Sequence, residues 1–97
     1  MKLEDKVIKW AEDKGLTNSK NAKTQFLKTV EEVGELSNAL LKDDNDLIID
    51  AVGDIVVTLI IFCKIRNLKI DDCLAQAWNE IKDRTGSTVN GTFIKNS

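Results

Sequence analysis

Five carboxylates fall on two neighbouring stretches of the chain: Glu31, Glu32 and Glu35 in KTVEEVGELSNALL, and Asp50 and Asp54 in DAVGDI. Glu32 and Glu35 lie one turn apart on a helix, and so do Asp50 and Asp54. Four or five converging carboxylates repel one another strongly unless a cation is held among them. The donors are all oxygen, with no histidine in the chain. That set selects a hard divalent ion, magnesium first and manganese as a substitute. Magnesium held by a few carboxylates keeps open positions for water and phosphate oxygens.

The two stretches differ in what surrounds their acids. Glu31, Glu32 and Glu35 lie opposite Phe26, Val33 and Leu40, so alone they would form a solvated helix face with Lys28 beside them. Asp50 and Asp54 have no such retreat. Leu47, Ile48, Ile49, Val52, Ile55, Val56, Val57, Leu59, Ile60, Ile61 and Phe62 leave their helix without a polar side. Carboxylates in such a place are almost always paired or bound to metal. The short LLKDDND connection makes the two helices antiparallel and brings the acidic groups level.

Gly34 and Gly53 each precede an acid within a shared pattern, EVGEL and AVGDI. Glycine inside a helix costs about 1 kcal/mol relative to alanine. Both are expected to mark close approach of a helix backbone or a metal-bound phosphate.

The elements follow from apolar spacing and end signals. Leu3, Val7, Trp10 and Ala11 mark a first helix over 3–14, ended near Gly15. Asn18 and Ser19 are candidate caps for a second helix over 20–42, whose apolar side is Phe26, Val30, Val33, Leu40 and Leu41. A third helix covers 46–66. A fourth covers 71–84, capped by Asp71, with Cys73, Leu74, Ala77, Trp78 and Ile81 as its stripe. Asn90-Gly91 then joins two short β segments as a hairpin, expected to dock on the helices or on a partner subunit. The fold class is therefore all-α, an antiparallel bundle of four main helices with a short C-terminal hairpin tail. It forms a single domain over residues 1–97. The third helix needs cover on every side, which four short helices cannot supply, and dimerisation is the natural source.

Charge excludes several functions. Residues 1–30 carry seven lysines against four acids, residues 31–54 eight acids against Lys42, and residues 55–97 six bases against four acids. A chain with half its acids in one quarter of its length is poorly built to bind a nucleic acid polymer, which requires a basic face. It is well built to concentrate cations. The apolar run between Asp54 and Lys64 is nine residues, far short of the ~20 that cross a bilayer. The opening MKLEDKVIKWAEDK is charged throughout and has no signal-peptide pattern, so a cytoplasmic location is expected. Cys63 and Cys73 are the only cysteines. Both are expected to be buried reduced thiols, and Trp10 and Trp78 to pack in the core.

KTVEEVGEL, followed nineteen residues after Glu35 by the aspartate of DAVGDIVVTL, resembles the MazG-like nucleotide pyrophosphohydrolases of the all-α NTP pyrophosphatase superfamily. The closing WNEIKDRTGSTVNGTFIK resembles the end of their small single-domain members, and the likeness covers residues 5–95. The family signature is E-x-x-E on one helix and E-x-x-D on the next. Glu32 and Glu35 match the first pair and Asp54 the last aspartate. Ala51 stands where the second motif has glutamate, with Asp50 the nearest acid.

The resemblance implies magnesium-dependent hydrolysis of (deoxy)nucleoside triphosphates to monophosphate and pyrophosphate, in a dimer or a dimer of dimers. The metal set is then Glu32, Glu35, Asp50 and Asp54, with Glu31 or Glu35 taking the proton of the attacking water. Lys28, Lys82 and Arg84 would steady the phosphates, the last two across a dimer, and Asn79 would contact base or phosphate. The alternatives are a nucleotide-binding protein with weak turnover, which Ala51 motivates, and a non-enzymatic helical interaction module.

Overall fold

The computed structural model describes residues 2–96. Helix α1 spans Leu3–Asp13. It stops because Gly15 takes a left-handed φ of 73°, which turns the backbone so that Leu16 N–H reaches the Ala11 carbonyl at 2.9 Å. Asn18 then caps a single 3-10 turn, Ser19–Asn21, its Oδ1 accepting from Lys20 N–H at 2.9 Å. Helix α2 follows at Ala22–Leu41 and α3 at Asn45–Ile65. Between them Asp43 adopts φ 54°, and Asp44 caps α3 by accepting from Leu47 N–H at 3.2 Å. The four expected helices are all present, with ends shifted by at most three residues.

The core sits where α1 crosses the C-terminal half of α3. Ala11, Ile61 and Ile65 are buried there, with Val7, Leu16, Ala22 and Val57 packed around them. Helix α4, Ile70–Ile81, is attached more lightly and buries none of its residues. Asp71 was expected as its cap but lies inside the first turn. Glu4 of α1 provides the acceptor instead, bonding Ile70 N–H at 3.3 Å. Strands β1, Gly86–Val89, and β2, Thr92–Lys95, pair antiparallel with Val89 opposite Thr92. Asn90 and Gly91 turn between them with φ of 50° and 79°. Positive φ at both positions is what a two-residue hairpin of the type I′ family requires.

Three burial expectations are corrected. Cys63 is buried but Cys73 is exposed. Trp10 and Trp78 remain 52% and 57% exposed rather than packed in the core. The hairpin residues are exposed along both strands, so the hairpin is not docked on the helices. Each belongs to a face that the chain does not cover by itself.

The largest correction concerns α2. Its buried residues are Gln25, Thr29, Glu32 and Ala39, a stripe at helical spacing that faces α3. Gln25 Nε2 donates to the Thr58 carbonyl at 3.3 Å, and Thr29 Oγ1 lies 2.9 Å from Thr58 Oγ1. Small side chains, Ala39 on α2 and Ala51 on α3, are buried further along these helices. Phe26, Val30, Val33, Leu40 and Leu41, expected to face inward, are instead more than half or about half exposed. Ile49, Val52 and Val56 of α3 are also open to solvent, so that helix is not enclosed by its own chain. The hairpin of α2 and α3 turns a polar, partly acidic seam inward and leaves apolar surface outside.

Candidate active site

Turning α2 this way carries Glu32 into the seam. Its side chain is buried, with one carboxylate oxygen 3.8 Å from Lys28 Nζ. The other, Oε2, is sealed from solvent and has no hydrogen-bond partner. Burial pushes the Glu32 pKa above the usual carboxylate range, and the neighbouring Glu35 and the charge of Asp54 push it the same way, against the opposing pull of Lys28. These influences place Glu32, Glu35 and Asp54 in one electrostatic group. An orphaned buried oxygen beside two further carboxylates is what a hard cation would relieve. Among the described residues, no three acidic or cysteine side chains are gathered at liganding distance around one point. Glu35 and Asp54 are exposed, and both bear on the Glu32 carboxyl.

Two cavities meet at these acids. The first, about 570 Å³, is lined by Glu31, Glu32, Asp54 and Lys28 together with Trp10, Leu16, Leu27, Val57 and Ile61 among others. The second, about 360 Å³, is lined by Glu35, Asp50, Ala51, Asp54, Asn38 and Lys42 among others. Asp54 borders both. Asp50 and Glu35 thus share a cavity, as do Glu32 and Glu31, and Asp54 joins the two pairs.

Lys28 sits 3.4 Å from Glu31 as well as 3.8 Å from Glu32. The hydrogen bond to Glu31 and that residue's charge raise the Lys28 pKa, so it stays cationic at the edge of the site. Asn79 on α4, with Lys82 and Arg84 just beyond it, lines neither cavity. Within one chain the structure does not bring these three to the acids. Gly34 and Gly53 also differ from expectation. A Cβ built at either meets nothing within 4 Å, so the close approach they were expected to serve is not made within the chain.

Trp10, Gln25 and Lys42 are site-lining residues that sequence reasoning missed. The signal for Gln25 was available: Gln25, Thr29 and Glu32 repeat at i, i+4 and i+7, the period of a buried face. Its polar composition concealed it.

Comparison with known proteins adds a decisive observation. The model of the MazG nucleotide pyrophosphohydrolase domain matches residues 20–88. The chain belongs to the MazG family. The matched region holds α2, α3, α4 and most of β1, and with them every carboxylate of the candidate site. Helix α1, which brings Trp10 to the first cavity, lies outside it. A similar sequence is the "Uncharacterized 18.2 kDa protein in rep-hol intergenic region" of Haemophilus phage HP1 (strain HP1c1), 38% identical over 58 residues. That likeness covers 60% of this chain and 36% of the phage protein, so the MazG-like chain spans about a third of its relative. No solved structure matches it. Membership of the MazG family suggests nucleotide pyrophosphohydrolase activity. Among the described residues no helix is long and apolar enough to cross a membrane.

Proposed function

We propose that the protein hydrolyses (deoxy)nucleoside triphosphates to the monophosphate and pyrophosphate in the presence of magnesium. The observation that carries this reading is the buried Glu32 carboxylate with an unpartnered oxygen, set beside Glu35 and Asp54 within a MazG-family domain. Glu32, Glu35 and Asp54 would hold the ion, with Asp50 contributing from the second cavity. When bound, magnesium would neutralise phosphate charge and acidify the attacking water.

The chain's own residues do the rest. Glu35 fits the role of proton acceptor better than Glu31, because the Glu31 carboxylate is already engaged in an ion pair with Lys28 at 3.4 Å. Lys28 itself lines the first cavity beside Glu31 and Glu32 and would contact a phosphate oxygen. Lys42, in the second cavity, offers a further cation. Lys82, Arg84 and Asn79 would reach the acids of a second copy.

That second copy is part of the proposal. The outer faces of α2 and α3, together with the whole of α4, expose Phe26, Val33, Leu40, Ile49, Leu74 and Trp78. A folded monomer rarely leaves so many large apolar side chains half open or more. A homodimer would cover it.

Substitution of the acids tests the site. Glu35→Gln and Asp54→Asn are each expected to lower pyrophosphate release from a nucleoside triphosphate by about 10²–10⁴-fold, read by coupled phosphate assay with added pyrophosphatase. Full activity in both variants would refute the assignment.

Ala51 favours a second reading, a nucleotide binder with slow turnover. It is buried between α2 and α3 and lines the cavity that holds Asp50, so no carboxylate reaches the site from that position. If Asp50 replaces the missing glutamate, Asp50→Asn should reduce activity at least tenfold. If it does not, Asp50→Asn should be near neutral and Ala51→Glu should raise turnover.

A further inference from the structure

The first cavity contains, besides the acids, one polar side chain whose hydrogen-bonding direction is fixed. Gln25 is 9% exposed, and it lines the cavity together with Thr58, whose carbonyl accepts from Gln25 Nε2 at 3.3 Å. A carbonyl can only accept. Turning the amide over would set two acceptors against each other inside a nearly closed seam, so the Thr58 carbonyl determines which end of Gln25 is which. Thr29 and Thr58 hydroxyls are occupied with each other and with the carbonyls of Gln25 and Ile55. Among the described residues no donor reaches Gln25 Oε1. The amide therefore offers the cavity an acceptor, Oε1, and its second Nε2 hydrogen.

The rest of the cavity suits a flat aromatic ligand. Trp10 is half exposed at its edge, and Leu27, Val57 and Ile61 complete an apolar wall. Its volume of about 570 Å³ lies within the range of small-molecule sites. It admits one-ring and two-ring bases alike. The same cavity is lined by Glu32 and Asp54, carboxylates that would hold a metal-bound phosphate tail.

We propose that this cavity receives the nucleobase, stacked on Trp10, and that Gln25 selects bases carrying an exocyclic amino group. Cytosine and adenine present an amino donor next to a ring-nitrogen acceptor, matching an acceptor beside a donor. Uracil and hypoxanthine present the reverse pair and are mismatched at both atoms. Gln25 cannot invert to serve them while Thr58 holds it. The proposal rests on the nucleotide reading of the neighbouring acids, and it goes further by naming the substrate class.

Product nucleotides test it without turnover. Deoxycytidine, deoxyuridine, deoxyadenosine and deoxyinosine monophosphates are titrated into the wild-type protein by calorimetry. The two pairs differ only by amino against keto. The amino member of each pair is expected to bind at least about tenfold tighter. Gln25→Met, of similar length and without the polar pair, should bring both ratios to about one without weakening deoxyuridine monophosphate. Trp10→Ala should weaken all four alike, because stacking is tolerant of base identity.

Equal binding within each wild-type pair overturns the proposal even if Gln25→Met does not fold. So does binding of none of the four, or a preference that survives in Gln25→Met. Amino-selective binding without any hydrolysis would leave this proposal standing and remove the hydrolase. Hydrolysis that ignores the amino group would do the opposite.

Discussion

Replacing Glu32 by glutamine should stabilise the metal-free protein at neutral pH while abolishing magnesium-dependent turnover. Both effects follow from one geometry. Glu32 is buried with Oε2 unpartnered, and burial with the nearby carboxylates raises its pKa. A raised carboxyl pKa means that the folded state favours the protonated form. Stability from this group is therefore full below the unfolded value of about 4.3 and is lost as pH rises through the folded value.

In chelator, the buried Glu32 carboxyl with its unpartnered oxygen is a liability of about 1–3 kcal/mol. Glutamine removes it, and each kcal/mol corresponds to about 4–8 °C in Tm for a domain of this size. The variant should also lose the fall in stability that sets in as pH rises above the unfolded value of about 4.3. In magnesium the order reverses, because only the carboxylate binds the ion. Thermal melts across pH, with chelator and then with magnesium and nucleotide, read both halves. A Glu32→Gln protein less stable than wild type in chelator, or fully active with magnesium, would remove Glu32 from the metal set.

The second large effect concerns the outer face of α2. Val33 and Leu40 are 50% and 65% exposed. If that face were free surface, changing them to glutamate would shift stability by only about 0.5 kcal/mol either way. If a second copy covers it, two buried charges per subunit face each other across an interface of about 800 Å² per partner. The Val33→Glu, Leu40→Glu protein should then sediment as a monomer and melt at least about 10 °C lower, since losing a few kcal/mol moves Tm by several degrees each. Wild-type Tm should rise with protein concentration, and the double variant's should not. An unchanged mass and an unchanged Tm would show that the apolar face is simply exposed.

The same face shows where the sequence could be read and where it could not. Helix spans, the Asp44 cap, the Gly15 stop and the Asn90-Gly91 turn depend on local chemistry, and each is visible in a few residues. The helical spacing of Glu32 with Glu35 and of Asp50 with Asp54 was legible too, because all four fall on the two adjacent helices. The direction in which α2 faces was not legible. Apolar periodicity in Phe26, Val30, Val33 and Leu40 says that a face requires cover. It does not say whether the cover comes from the same chain. The chain buries Gln25, Thr29 and Glu32 against α3 instead, with Ala39 and Ala51 further along, held by hydrogen bonds that a hydrophobicity pattern does not register. Cys73, Trp10 and Trp78 were misplaced for the same reason. Gly34 and Gly53, empty of near neighbours, match their expected role only if something outside the chain approaches them.

Phosphorus NMR of a nucleoside triphosphate incubated with the wild-type protein and magnesium tests the central claim most directly. Pyrophosphate and nucleoside monophosphate should appear in equal amounts, with no signal change in chelator or with Glu32→Gln. Formation of diphosphate and inorganic phosphate, or no turnover of any of the common or base-modified triphosphates, would contradict it.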